Sequence, residues 1–415
     1  MSSAHIQGTV APGFEPVRHA FEENFKRRGE LGAAVCIWHR GRVVVDLWGG
    51  TADKATGRPW TGDTPTTVFS VTKGLSALCL LMLAERGGLD YDRKVADYWP
   101  EFAQNGKADI TVRTLLNHRA GVVGLDEPLS IDDFEQRPEK VVDACARQAP
   151  AWAPGTRQGY HGVSFGPYVA ELYKRASTAG SGRSPSAGSD TIGRFFAREV
   201  AGPLGADVFI GLPDEHHDRV ASIYGPTPRA KLGAVPKLLF HTGLEGRVFR
   251  QAVQKKSCTY KAFCNPPDLG AKGLPNFNTA RVRRLELPWC NGVASARGLA
   301  RIYQALAMGG TLEGVTLARP ESIAAVHARQ SWVDVDEVLR KPLGFSQGFI
   351  KEEARLFSPN EASFGHPGAG GALGFADPTA GVSIGYVMNQ MGAHVRSPRA
   401  LALCHALYRS PGLAG

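Results

Sequence analysis

The chain has no CxxC pair, no paired cysteine and histidine ligands at zinc-site spacing, and no apolar run long enough to span a bilayer. Its seven cysteines, Cys36, Cys79, Cys145, Cys258, Cys264, Cys290 and Cys404, form an odd and scattered set that fits reduced thiols better than a disulfide framework. Cys258 and Cys264 lie closest together but lack a second pair of ligands, and the adjacent His216 and His217 point in different directions on any regular element. No metal site is expected. The opening stretch MSSAHIQGTVAPGFEP lacks a basic start followed by an apolar segment, so no secretory signal is evident and a cytoplasmic location is expected, with no membrane partner.

What is present is ordinary for a globular protein: 415 residues, 43% hydrophobic and 21% charged, enough for one large domain with an insertion or two intimately packed domains. A net charge of +9 raises the question of nucleic acid, but the basic clusters are thin. Arg281, Arg283 and Arg284 form one group and Lys255, Lys256 and Lys261 another, with no nucleic-acid-reading motif or set of stacking aromatics beside them. The charge reads as a solvated surface, and no nucleic-acid partner is expected.

Periodicity predicts an amphipathic helix over 14–28, then a hairpin in AAVCIWHRGRVVVDLWGG broken at Arg40-Gly41. From Val68 to Arg86 the chain is apolar nearly all round, which requires a buried helix, with Gly87-Gly88 as its stop. Helical segments follow at 111–117 and 162–175. The Ser/Gly/Pro-rich stretch 177–190 reads as a surface loop, and the irregular, Pro-, Gly- and base-rich segment 225–288 as a lid or substrate-facing excursion. A helix at 295–308, strand-like runs near 343–350 and 381–388, and a helix at 396–408 close the chain. Strands at both ends with helices between them imply an α+β fold, an antiparallel β-sheet flanked by helices with an inserted, mostly helical subdomain. Residues 1–66 and 288–415 would form the sheet domain, and 67–287 the helical part carrying the start of the buried helix.

Three segments carry chemistry. Ser70 and Lys73, at a spacing of three on a helix start, lie on one face one above the other, so an amine lowered in pKa by burial could accept the serine proton. The helix N-terminus adds backbone N–H groups that suit a developing oxyanion. Tyr160 lies in PGTRQGYHGVSFG on a loop leading into a helix; a phenol beside an ammonium would have a depressed pKa and could act as base and then acid. His161 reads as a surface residue. In FGHPGAGG, the glycines after His366 let the backbone approach a ligand closely and leave N–H groups free.

In this order the three segments resemble the serine β-lactamase and penicillin-binding-protein superfamily, in its class C-like branch that includes the family VIII carboxylesterases. TVRTLLNHRAGV, PWCNGVASARGLARIY and GHPGAGGALGFADPTAGVSIGYVMNQM agree with it, and the resemblance spans roughly residues 15–410. It implies Ser70 as the acylated nucleophile, Lys73 as its activating partner, Tyr160 as general base and acid, and the N–H groups of Ser70 and Ala369 as the oxyanion hole. It also implies no cofactor and a small-molecule ester substrate. Two departures bear on that substrate: His366-Pro367-Gly368 stands where the family's lactamases carry Lys-Thr-Gly, and Gly162 where their second motif ends in Asn. Both argue for an esterase over a β-lactamase. Trp152, Trp289 and Phe345, by proximity to the motifs, are expected with His366 and Gly368 around the substrate. An acyltransferase of the same fold, an amide hydrolase and a silent binding protein are the alternatives, and oligomeric state is left open.

Overall fold

The structure, a computed structural model, describes residues 5–178, 190–227, 243–351 and 355–413. A nine-stranded sheet is built from both ends of the chain: β1 (Ile6–Val10), β2 (Gly32–His39), β3 (Arg42–Gly50), β4 (Ser331–Val333), β5 (Leu343–Ser346), β6 (Phe349–Lys351), β7 (Phe364–Pro367), β8 (Leu373–Asp377) and β9 (Val382–Met388). The spatial order is β1-β3-β2-β9-β8-β7-β6-β5-β4, and every neighbouring pair is antiparallel. The α+β expectation holds. The β2–β3 turn falls at Arg40-Gly41, both at positive φ (49° and 79°), as a two-residue hairpin joining right-twisted strands requires. The edge strand β1 escaped the sequence reading because Gly8 interrupts its alternation of side chains.

Seven helices matter for the site: α1 (Glu15–Arg27), α2 (Val71–Glu85), α3 (Val112–Leu116), α4 (Phe165–Thr178), α5 (Cys258–Phe263), α6 (Ala296–Ala307) and α7 (Pro398–Tyr408). Side chains alternate along a strand, so β9 shows how the two faces are covered. At Gly385 a Cβ would lie 2.2 Å from the Ala296 carbonyl, which puts α6 against that face. The next residue, Tyr386, bonds on the opposite face to Glu30, itself paired with Arg399 of α7 at 2.6 Å. α2 shares the α6 face: a Cβ on Gly74 would meet the Tyr303 hydroxyl at 2.5 Å and the His366 Cβ at 3.4 Å. Every residue of α2 from Val71 to Leu83 is buried, and the helix stops at Arg86 with Gly87 at φ 78°.

The expected loop at 177–190 falls, over 179–189, outside the described residues. The segment 225–288 is more regular than its composition suggested. Beyond 228–242, which are likewise not described, it holds α5, a helix at Leu244–Ala252, and several short helical turns. None of the seven cysteines is in a disulfide. Among the described residues no helix is long and apolar enough to cross a membrane.

Candidate active site

Ser70 is presented by a sharp entry into α2. Val68 N–H is tied to the Gly292 carbonyl at 2.8 Å, and Phe69 then takes φ 47°, a conformation that costs a bulky residue energy and that its packing must hold. The Phe69 ring lies 5.1 Å from that of Phe277. Ser70 occupies the N-cap of α2, yet its side chain makes no capping bond; the hydroxyl instead hydrogen-bonds to the Tyr160 phenol. A serine at this position ordinarily satisfies the helix N-terminus. Here that capping bond is not made, and its own N–H, at a helix start, has no intrahelical acceptor.

One turn on, Lys73 has no exposed surface and donates from Nζ to the carbonyls of Gly162 (2.7 Å) and Trp289 (3.3 Å). These bonds offset part of the cost of burying an ammonium. Burial still brings its pKa down to about 7, with Cys290 opposing the shift. Near neutral pH the amine is therefore shared between its charged and free-base forms.

Tyr160 is buried, and burial raises its phenol well above the usual range, against the Ser70 bond and with the carboxylate of Asp336 and Cys290 adding to the rise. This corrects the sequence expectation of a depressed phenol. The Lys73 N–H groups are committed to two carbonyls, and its charge sits over the ring face, 4.9 Å from the centroid.

The third segment ends β7. His366 is buried, its Nδ1 bonds to the Pro367 carbonyl at 2.7 Å, and burial together with Lys73 takes its pKa down to about 3. It is uncharged at neutral pH. A Cβ on Gly368 would lie 2.2 Å from the Val68 carbonyl, so this turn rests directly on the segment that presents Ser70. Ala369, next in line, opens a 3-10 turn (Ala369–Gly371) and is exposed, with its N–H at the start of the turn.

His161 is not the surface residue expected. It has no exposed surface, packs edge-on against His118 (4.9 Å between centroids), and its backbone N–H donates to His118 Nδ1 at 2.9 Å. The TLLNHRAGV stretch thus supplies another buried imidazole, tilted against Phe345 with ring centroids 4.2 Å apart, that the sequence reading did not single out. Burial lowers His161 to about 3 and His118 well below its ordinary value. Among the described residues these rings are not grouped to hold a metal ion. They do set an acid limit. With folded pKa values below about 6.5, the unfolded value, the unfolded chain binds more protons as pH falls through 6.5, and stability declines from there towards pH 3. Calorimetry should show Tm falling steadily as the pH drops from 6.5 to 4.5; a flat Tm over that range contradicts buried neutral imidazoles.

The 225–288 segment reaches the site through α5. The Ala262 carbonyl accepts from Val163 N–H at 3.0 Å, and the exposed Phe263 ring lies 6.2 Å from that of Tyr160. A Cβ on Gly162 would meet the Ala262 oxygen at 2.4 Å, so α5 occupies the space an Asn side chain there would need. Of the aromatics expected beside the motifs, Trp152 packs its ring on Gly159, next to Tyr160. Trp289 reaches the site through its carbonyl while its ring packs against Gly166 and Phe134. Phe345 has no exposed surface and backs His118.

The beta-lactamase family model matches residues 17–406. The chain belongs to the beta-lactamase family. Among its relatives in this family, the esterase/beta-lactamase LipL of Mycobacterium tuberculosis is 32% identical over 388 residues, covering 93% of this chain and 83% of its own. A family VIII carboxylesterase crystal structure superposes with a TM-score of 0.83 at 38% identity, covering 98% of this chain and all of its own. A penicillin-binding protein homologue from Caulobacter crescentus gives 0.82 at 35%, with 98% and 100% covered.

Proposed function

We propose that the protein is a carboxylesterase that cleaves small carboxylic esters through a covalent acyl-enzyme on Ser70. The observation that carries this reading is the Ser70 hydroxyl, unused as a helix cap, bonded to Tyr160 above a lysine brought to about 7. Ser70 Oγ attacks the ester carbonyl and its proton passes to the Tyr160–Lys73 pair, Lys73 being the member with proton affinity suited to neutral pH. The N–H groups of Ser70 and Ala369 receive the oxyanion. The pair then returns the proton to the leaving alkoxide, releasing an alcohol. A water molecule, deprotonated by the same pair, attacks the acyl-enzyme, yielding the carboxylic acid and free Ser70.

His366, Gly368 and Trp152 border the substrate in this reading, while Trp289 acts through its carbonyl on Lys73 and Phe345 through His118. An uncharged His366 and a side-chain-free Gly162 withhold the cation and amide that would hold a β-lactam carboxylate and side chain. The division of the chain into a sheet domain (1–66 with 288–415) and a helical part (67–287), and a cytoplasmic location, belong to the same proposal.

Hydrolysis of p-nitrophenyl butyrate alongside nitrocefin tests it. The expected kcat/KM for the ester exceeds that for nitrocefin by roughly 100-fold, the scale of one lost contact to a charged group. Equal turnover of the two, or nitrocefin alone, overturns the choice of substrate.

A further inference from the structure

Tyr160 is carried by a loop, and a loop alone does not hold a catalytic atom to within the fraction of an ångström that proton transfer needs. What braces it comes from a distant part of the chain. The connection between β4 and β5 folds back on itself, Asp336 N–H donating to the Lys341 carbonyl (2.9 Å) and Arg340 N–H to the Asp336 carbonyl (2.9 Å). Asp336 has no exposed surface, and its Oδ1 accepts three backbone N–H groups: Tyr160 at 3.1 Å, Val338 at 2.9 Å and Leu339 at 2.8 Å. Alongside, Glu337 N–H donates to the Gln158 carbonyl at 3.0 Å. Two rungs therefore clip residues 336–337 to 158–160.

Apolar packing backs the clip. Tyr160, Val123, Ala262, Val338, Leu343, Phe345 and Ile350 form a small core separate from the main one, and Thr259 of α5 donates its hydroxyl to the Val338 carbonyl at 2.6 Å. A buried carboxylate is expensive, and one placed for fold stability alone has no reason to aim at the backbone of a catalytic residue.

We propose that Asp336 is the positioning residue of Tyr160: by accepting the Tyr160 N–H on an oxygen fixed by two further N–H groups, it sets where the phenol meets the Ser70 hydroxyl. The proposal rests on the functional reading above, in which Tyr160 handles the Ser70 proton. Asp336 touches neither substrate nor reacting atoms and acts through Tyr160.

The test is a coupling experiment on p-nitrophenyl butyrate with the full-length protein, measuring kcat and KM for wild type, Asp336→Ala, Asp336→Asn, Tyr160→Phe and the Asp336→Ala, Tyr160→Phe double variant. Alanine should lower kcat about 100-fold with KM within about threefold, as expected when the reacting geometry slips by about 1 Å. Asparagine keeps the acceptor oxygen and should restore kcat to within about threefold of wild type, as the bonds to three N–H groups survive. On the Tyr160→Phe background the alanine change should add less than about twofold, because residues acting as a unit are not additive.

Full activity in Asp336→Ala, failure of asparagine to rescue, or an additive loss in the double variant overturns the proposal. Should the alanine variant not fold, Asp336→Glu replaces it. That change keeps a carboxylate but moves it by one methylene, and it should lower kcat only where Tyr160 is present; equal losses on both backgrounds overturn the proposal. If Tyr160→Phe itself keeps wild-type kcat, the functional reading fails instead, so the two failures are told apart.

Discussion

Ser70→Ala should lower kcat for p-nitrophenyl butyrate by on the order of 10⁵-fold, the scale seen when a serine hydrolase loses its nucleophile. Tm should stay within about 2 °C, since a half-exposed hydroxyl that caps nothing contributes little to the fold. Tyr160→Phe removes only the phenol oxygen from a ring that stays packed, so its loss should fall in the roughly 10²–10⁴-fold range of a general acid–base group. Single-turnover kinetics with burst analysis check both. Ester cleavage surviving in Ser70→Ala would move the nucleophile elsewhere.

The second large effect concerns Lys73 and pH. Burial lowers this amine from its ordinary value to about 7, so its neutral form grows as pH rises. Wild-type kcat/KM should therefore climb from pH 5.5, pass its half-height near pH 7, and level off above it. Lys73→Arg places in the same site a cation that does not lose its proton, and should lower kcat by about 10³-fold with no recovery at high pH. A variant that regains activity above pH 8 would show that Lys73 serves only as a fixed charge. The linked effect on stability has a definite sign. Between pH 7 and the unfolded lysine value of about 10.4, the unfolded chain holds a proton that the folded one lacks, so the Lys73 contribution to stability increases with pH over that window.

Much of this site can be read from the sequence because its chemistry is local. Ser70 and Lys73 share one helical face, the helix that carries them is apolar all round, and the glycines after His366 announce a turn. The hairpin at Arg40-Gly41 and the helices α2, α6 and α7 follow from periodicity and stop signals in the same way. What escaped depends on partners far along the chain. Asp336 meets Tyr160 across 176 positions with no motif around either its own loop or its three N–H donors. The commitment of Lys73 to the carbonyls of Gly162 and Trp289 is invisible too, since a backbone oxygen has no residue type, and so is the burial that raises the phenol where proximity to Lys73 alone suggested it would be lowered. His161 looked like a surface residue because its burial depends on packing against separate segments, His118 among them.

The buried pair on the opposite face of the sheet bears on the same site. Arg399 reaches from α7 to the Gly370 carbonyl at 2.9 Å and to the Gln390 carbonyl at 2.7 Å while paired with Glu30. It ties the turn that carries Ala369 to the sheet, and on the proposed function the rigidity of that turn would let the Ala369 N–H serve as a preorganised donor.

Whether Ser70 carries an acyl group is read out by acid quenching of the enzyme during turnover of p-nitrophenyl butyrate, followed by peptide mass spectrometry. One butyryl group is expected on the peptide spanning Ser70 and Lys73, located on Ser70 and absent in Ser70→Ala; a butyryl group on any other residue, or hydrolysis with no acylated peptide at any quench time, rules out Ser70 as the acylated nucleophile.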